Sequence, residues 1–232
     1  MAGALRRLWA ARKGLLELFL GVLLPLGLFA ALASEVVSRR QPWWDTALLE
    51  WIHTWATPFF DRAMRWISRL GVWYGVIPFT VLFTLWLLAR RRIQQALFFL
   101  LSMAGAGLLN TLTKELFGRV RPALWRTPKL HESFSFPSGH AMGSMALAAS
   151  LGVLAWRTPL RWPVIVAGAA FTVLVSGSRL YLGMHFPTDV LAAWAASLAW
   201  VLGLRHVLSP GQPSPLPTAD PAPASGTPAP PT

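Results

Sequence analysis

The sequence predicts an all-α, polytopic membrane protein: six transmembrane helices, with an interfacial helical segment between the first and second. Three observations predict it. Of 232 residues, 54% are hydrophobic and 13% charged, about half the charged share of a soluble domain. Thirteen Trp fit the aromatic belts that sit at bilayer surfaces. The basic residues behind a net charge of +12 stand in short runs between apolar segments, the habit of membrane proteins. In a soluble chain that charge would suggest nucleic acid; here a lipid bilayer is the expected partner and nucleic acid is not. With no cysteine, disulfides, thiolate catalysis and Cys-based zinc sites are excluded.

The first apolar segment, roughly residues 15–34, follows Arg6, Arg7, Arg12 and Lys13 and ends in "AALAS", which resembles a signal-peptidase site after Ala33. Its apolar core is longer than the ~7–15 residues of a signal peptide, so it reads as a retained helix. Residues 43–70, "WWDTALLEWIHTWATPFFDRAMRWISRL", alternate apolar and polar groups at helical spacing, with Pro58 interrupting. Trp43, Trp44, Trp51, Trp55 and Trp66 predict one or two helices lying in the outer interface, with His53 an interfacial polar group. Further spans fall at about 72–89, 95–113, 138–156, 160–178 and 188–206, each near the ~20 residues needed to cross a hydrocarbon core. Small residues in the third and fourth (Ala104, Gly105, Gly107; Gly143, Ser144, Ala148) would let backbones approach closely. Residues 1–208 form one membrane-embedded domain. Residues 209–232, rich in Pro, Ala, Ser and Thr, bury too little apolar surface to fold and read as a disordered cytoplasmic tail.

Arginine placement sets the orientation. With the N-terminus inside, Arg90, Arg91, Arg92, Arg157, Arg161 and Arg205 lie in cytoplasmic loops. The outward segment 114–137 is also basic, carrying Lys114, Arg119, Arg121, Arg126 and Lys129. That breaks the positive-inside pattern, and binding an anion would explain it.

Three motifs meet on this outer side. In "KELFGRVRP", Lys114 and Arg121 are two helical turns apart and share a face if the segment is helical, with Pro122 marking the helix stop. A basic helix end alone also suits a solvated face or a headgroup anchor. In "PSGH", Ser138 and Gly139 open the fourth span, where the first N–H groups lack intrahelical partners and favour an anion. Ser138 also suits an ordinary N-cap. In "SRLYLGMHFPTD", Pro187 fits a first helical turn and Asp189 falls four residues after His185. Asp189 answers the helix dipole, or accepts from one imidazole nitrogen and leaves the other free as a nucleophile.

The motifs Lys114/Arg121-Pro122, Pro137-Ser138-Gly139-His140 and Ser178-Arg179/His185/Asp189 resemble those of the type 2 phosphatidic acid phosphatase family of membrane lipid phosphatases. All the fixed positions match, in order and between the corresponding helices, over roughly residues 15–206. The resemblance implies that His185 attacks phosphorus and forms a phosphohistidine, with Asp189 holding its tautomer. It implies that His140 protonates the leaving oxygen and then activates water. Lys114, Arg121, Arg179, Ser138 and Gly139 would bind the phosphate; preorganised donors of this kind are worth about 3–4 kcal/mol each in the transition state.

No metal or other cofactor is expected, since near the site only Asp189, Glu115 and Glu132 supply carboxylates and a hard cation needs several oxygen ligands. The expected substrate is a phosphomonoester or diphosphate lipid on the outer face. Undecaprenyl diphosphate, phosphatidylglycerol phosphate and phosphatidate are the leading choices. Arg119, Arg126 and Lys129 stand as surplus cations for a second phosphate. Phosphotransfer to a lipid or sugar acceptor through the same phosphohistidine is an alternative, as is a non-catalytic anionic-lipid transporter. Absence of cysteine and compact size fit a bacterial inner membrane with the site facing the periplasm or exterior. Oligomeric state is not legible.

Overall fold

Proline and glycine punctuate the chain where its helices begin and end. The computed structural model describes residue 12 and residues 14–125 and 133–208. Among the described residues there are eight helices and no strand. They are α1 (Gly14–Val37), which includes a π-helical turn at Phe19–Leu23, α2 (Trp43–His53), α3 (Pro58–Leu70), α4 (Val76–Ala89), α5 (Ile93–Phe117), α6 (Gly139–Ala155), α7 (Arg161–Tyr181) and α8 (Pro187–Leu208). Pro58 and Pro187 occupy first helical positions, where a missing N–H costs nothing. The expected disordered tail, 209–232, lies outside the described residues, as do Arg126, Lys129, His131 and Glu132.

Four helices, α1, α5, α7 and α8, are long and apolar enough to cross a membrane. Two more, α4 and α6, are apolar but only 14 and 17 residues long. The segment 43–70 divides into α2 and α3; Thr57 caps α3 by accepting the Phe60 N–H at 3.2 Å.

One sequence expectation needs correcting. α5 ends at Phe117, and Pro122 does not mark its stop. Gly118 takes a left-handed conformation (φ 56°), donating its N–H to the Lys114 carbonyl at 3.0 Å, which is the ordinary glycine helix stop. Lys114 is therefore helical and Arg121 is not. The two converge through the turn at Gly118 and not through helical periodicity.

α6 sits at the centre, packed on α5, α7 and α8, while α1 lies against α8. Apolar burial drives little association in lipid, so close backbones and interhelical hydrogen bonds take its place. Trp200 Nε1 donates to the Leu101 carbonyl at 3.1 Å, Trp194 Nε1 to Ser176 Oγ at 3.0 Å, and Ser197 Oγ to the Met142 carbonyl at 2.9 Å. Phe136, fully buried between Phe29 and Phe117, anchors the chain just before α6. Leu24, Leu82, Leu108 and Val166 point outward and stay exposed, as lipid-facing positions do.

Gly105 lies directly under Trp200: a Cβ there would come within 2.2 Å of the indole, whereas a Cβ at Gly107 meets nothing within 4 Å. Gly105→Ala is expected to destabilise by about 1–3 kcal/mol through overpacking, while Gly107→Ala is neutral or slightly stabilising. Thermal unfolding in detergent checks the pair; equal melting temperatures would contradict this packing.

Candidate active site

Five segments deliver their polar side chains to one cavity of about 300 Å³. Lys114 comes from the last turn of α5 and Arg121 from the loop after it. Gly139 and His140 open α6, Arg179 sits in the last turn of α7, and His185 lies on the short loop before α8. Ser138 and Asp189, both fully buried, stand directly behind, joined through the Ser138 N–H and the Asp189 carbonyl at 3.1 Å. All eight expected site residues thus gather at one end of the bundle.

His185 is almost wholly buried. Its Nδ1 lies 2.8 Å from the Ser135 carbonyl and 3.6 Å from Asp189 Oδ2. A carbonyl only accepts, so Nδ1 carries the proton and Nε2 keeps its lone pair. Nε2 is 3.2 Å from Arg121 Nη1, whose N–H it accepts. Burial holds the imidazole pKa down at about 4, against the opposing pull of the Asp189 carboxylate. The ring is thus neutral at physiological pH. Asp189 Oδ2 in turn accepts from the Phe186 N–H at 2.8 Å and from the Ser135 hydroxyl. Ser135 therefore touches both members of the pair, the imidazole through its carbonyl and the carboxylate through its hydroxyl.

Arg121 is locked by the Ser133 carbonyl at 2.9 Å, the Ser133 hydroxyl at 3.0 Å and the Met184 carbonyl at 2.7 Å. Burial lowers its pKa, and Asp189 works against that. Arg179 donates through Nη1 to Ser68 Oγ at 2.5 Å, while its buried Nε has no partner. Ser138 occupies the N-cap position of α6 but caps nothing, and its buried Oγ is also unpartnered. Buried polar groups are rarely left so. Ser138 adjoins the first N–H groups of α6, which lack intrahelical partners, and Arg179 lines the same cavity as Gly139 and His140. Gly139 packs closely on Asn110: a Cβ there would meet its Oδ1 at 2.9 Å and the amide would have to move. The assembled donors suit a tetrahedral oxyanion.

The sequence reading missed several contributors. Ser68, Arg69 and Trp73, at the end of α3 and just beyond it, line the cavity, as does Ser133. Arg119 needs a correction: it is not a surplus cation. Its guanidinium is held between Asp45 at 2.9 Å and Asp189 at 2.6 Å. His53 stacks on Trp125 with ring centroids 4.1 Å apart. Beside the polar cavity, and sharing Gly139 with it, an apolar groove of about 340 Å³ runs between α4, α5 and α6, lined by residues such as Val76, Met103, Gly107 and Gly143. Among the described residues no group of three His, Asp or Glu stands where it could hold a metal ion.

Residues 95–211 match the PAP2 superfamily. Phosphatidylglycerophosphatase B of Bacillus subtilis is 33% identical over 174 residues, covering 72% of this chain and 77% of that one. An undecaprenyl-diphosphatase of Sulfolobus acidocaldarius is 30% identical over 143 residues, 60% of this chain and 65% of its own. The fold superposes on the crystal structure of a transmembrane PAP2 type phosphatidylglycerolphosphate phosphatase from Bacillus subtilis. The TM-score is 0.69 at 29% identity, over 81% of this chain and 97% of that one.

Because burial keeps the His185 pKa near 4, the ring loses its lone pair only below that pH. Nitrogen NMR of the histidine-labelled protein, with His185→Gln for assignment, is expected to show a neutral Nδ1–H tautomer from pH 8 to about pH 5. A midpoint near the ordinary ~6.5, or an Nε2–H tautomer, would contradict this geometry.

Proposed function

The chain belongs to the PAP2 superfamily, and from that premise we propose that its cavity hydrolyses a membrane lipid phosphate through a phosphohistidine. One observation carries this reading. Two buried polar atoms have no partner: Nε of Arg179, which lines the cavity together with His185, and Oγ of Ser138, which directly precedes the cavity residues Gly139 and His140. A phosphoryl group would accept from both orphans, from Lys114, and from Arg121 once its N–H leaves His185 Nε2 for a phosphate oxygen.

His185 Nε2 attacks phosphorus in line with the leaving oxygen. The P–O bond breaks as the N–P bond forms, and His140 gives its proton to the departing alkoxide or phosphate. Water then attacks the phosphohistidine while His140 takes its proton, releasing phosphate and restoring the imidazole. Charge spreads over the equatorial oxygens in the transition state, where Lys114, Arg121, Arg179, Ser138 and the Gly139 N–H await it. Asp189 and the Ser135 carbonyl stabilise the positive charge that develops on the ring. No step calls on a metal.

The lipid part of the substrate has a place as well. The apolar groove between α4, α5 and α6 meets the cavity at Gly139, so a hydrocarbon chain lying there would leave its phosphate at His185. Residues 14–208 would form the membrane domain, with six spans in all: the four long helices plus α4 and α6. The shortness of α6 would put its N-terminus, and the site, near the headgroup level. α2 and α3 would lie along the interface, their exposed Trp43, Trp51, Trp55 and Trp66 among the headgroups. Arg90–Arg92 and Arg157/Arg161 connect helices at the opposite end, so the site would face the periplasm or exterior of a bacterial inner membrane.

Three cations already surround a single phosphate. A fourth, Arg69, is exposed on α3 and lines the cavity, its guanidinium 5.1 Å over the Trp66 ring. It would meet a second phosphate, and so favour a polyprenyl diphosphate or phosphatidylglycerol phosphate over phosphatidate. The two relatives named above, a phosphatidylglycerophosphatase and an undecaprenyl-diphosphatase, share that substrate feature.

Purified protein in EDTA is expected to release phosphate from all three lipids. His185→Ala should abolish turnover and phosphoenzyme together. Normal phosphoenzyme in His185→Ala, or activity that Mg²⁺ must restore, would overturn the mechanism. Arg69→Ala is expected to lower kcat/KM about tenfold for the two-phosphate lipids, in keeping with a charge-assisted hydrogen bond, and to leave phosphatidate unchanged. An equal loss on all three would contradict the role given to Arg69.

A further inference from the structure

Asp45 lies on α2, outside the stretch that matches the family, yet it is fully buried. Its Oδ1 accepts the Thr188 N–H at 3.0 Å, and its Oδ2 accepts the Thr188 hydroxyl at 2.7 Å and Arg119 Nη2 at 2.9 Å. Arg119 Nη1 reaches Asp189 Oδ1 at 2.6 Å and the Thr188 hydroxyl at 2.6 Å, while its guanidinium lies 4.2 Å over the Phe186 ring. The backbone carbonyl of Arg119 accepts the Ser135 N–H at 2.7 Å. Both acceptors that face His185 Nδ1, the Ser135 carbonyl and the Asp189 carboxylate, are therefore fixed by one arginine. That arginine is fixed by Asp45.

We propose that Asp45 and Arg119 are positioning residues for the phosphoryl-transfer step, acting through Asp189 on the nucleophile His185. The inference rests on the functional reading of His185 and Asp189 given above. Two buried carboxylates flanking one guanidinium leave Asp189 Oδ1 occupied and turn Oδ2 toward the imidazole. Without Asp45, Arg119 has one carboxylate instead of two and is free to swing toward Asp189, drawing Oδ2 away from His185. Asp45 also satisfies a free N–H in the first turn of α8, the turn that carries Asp189. A contact made for stability alone would have no reason to act through the catalytic carboxylate.

The experiment is a double-mutant cycle on the full-length protein in detergent, with a lipid phosphate it is found to hydrolyse. Folding is followed by thermal unfolding. Asp45→Asn keeps the shape but turns the shared carboxylate oxygen into a donor facing Arg119 or Thr188. It is expected to lower kcat about ten- to a hundredfold, as removal of a partner behind a reacting group does, with KM unchanged. In an Asp189→Asn background the same substitution should cost less than about twofold, because its route to His185 is already cut. If Asp45→Asn does not fold, Thr188→Val, which deletes only the hydroxyl shared by Asp45 and Arg119, carries the same comparison. Equal slowing in both backgrounds, or a raised KM at unchanged kcat, overturns this proposal alone. Wild-type kcat in Asp189→Asn overturns the reading of Asp189 and this proposal with it.

Discussion

Three cations around one small cavity repel one another, and much of the structure nearby serves to keep them there. Carbonyl oxygens of Ser133 and Met184 receive Arg121, and the Ser68 hydroxyl receives Arg179. The nearest negative charge, Asp189, is buried and engaged by Arg119. The site therefore holds its positive charge with little internal neutralisation. On the proposed reading, a phosphate dianion would relieve that repulsion on arrival. On that reading most of the donors are already in place, so the growing charge of the transition state would need little beyond the shift of one Arg121 N–H from His185 Nε2.

The same logic explains which parts of the site were legible in the sequence. Lys114, Arg121, the 137–140 stretch, Arg179, His185 and Asp189 stand at chain ends of helices, so hydropathy alone brought them to one side. Their convergence needed no tertiary knowledge. The helix stop was misplaced because Pro122 is the louder signal, although Gly118 just after Lys114 is the ordinary helix-stop pattern. Asp45, one carboxylate within the Trp-rich stretch 43–70, drew no reading at all. Nothing in its neighbours tells that α2 folds back onto α8 and buries it. Arg119 looked like one more outward cation for the same reason: its two carboxylate partners lie 74 and 70 residues away. Ser68 and Arg69 carried no signal, since only the packing of α3 on α7 turns them toward the cavity.

Ser138 shows how a structure separates two meanings of one residue type. At an N-cap, a serine side chain ordinarily accepts a backbone N–H from the following turn. Here it does not, and the free hydroxyl stays buried beside the free N–H groups. On the proposed reading, cap and ligand compete for the same donors, and the geometry leaves them to the ligand. The apolar groove meeting the cavity at Gly139 gives that ligand its second requirement, a hydrocarbon tail.

The central claim is that a tetrahedral or five-coordinate oxyanion sits against His185 Nε2 inside this ring of donors. A crystal or cryo-electron-microscopy structure of the protein with vanadate tests it most directly. The expected result is vanadium bonded to His185 Nε2, its equatorial oxygens contacting Lys114, Arg121, Arg179 and Ser138 Oγ, and an apical oxygen within hydrogen-bond reach of His140. Vanadate bound elsewhere, or in the cavity but bonded to His140 with Ser138 Oγ and Arg179 Nε still unpartnered, would contradict it.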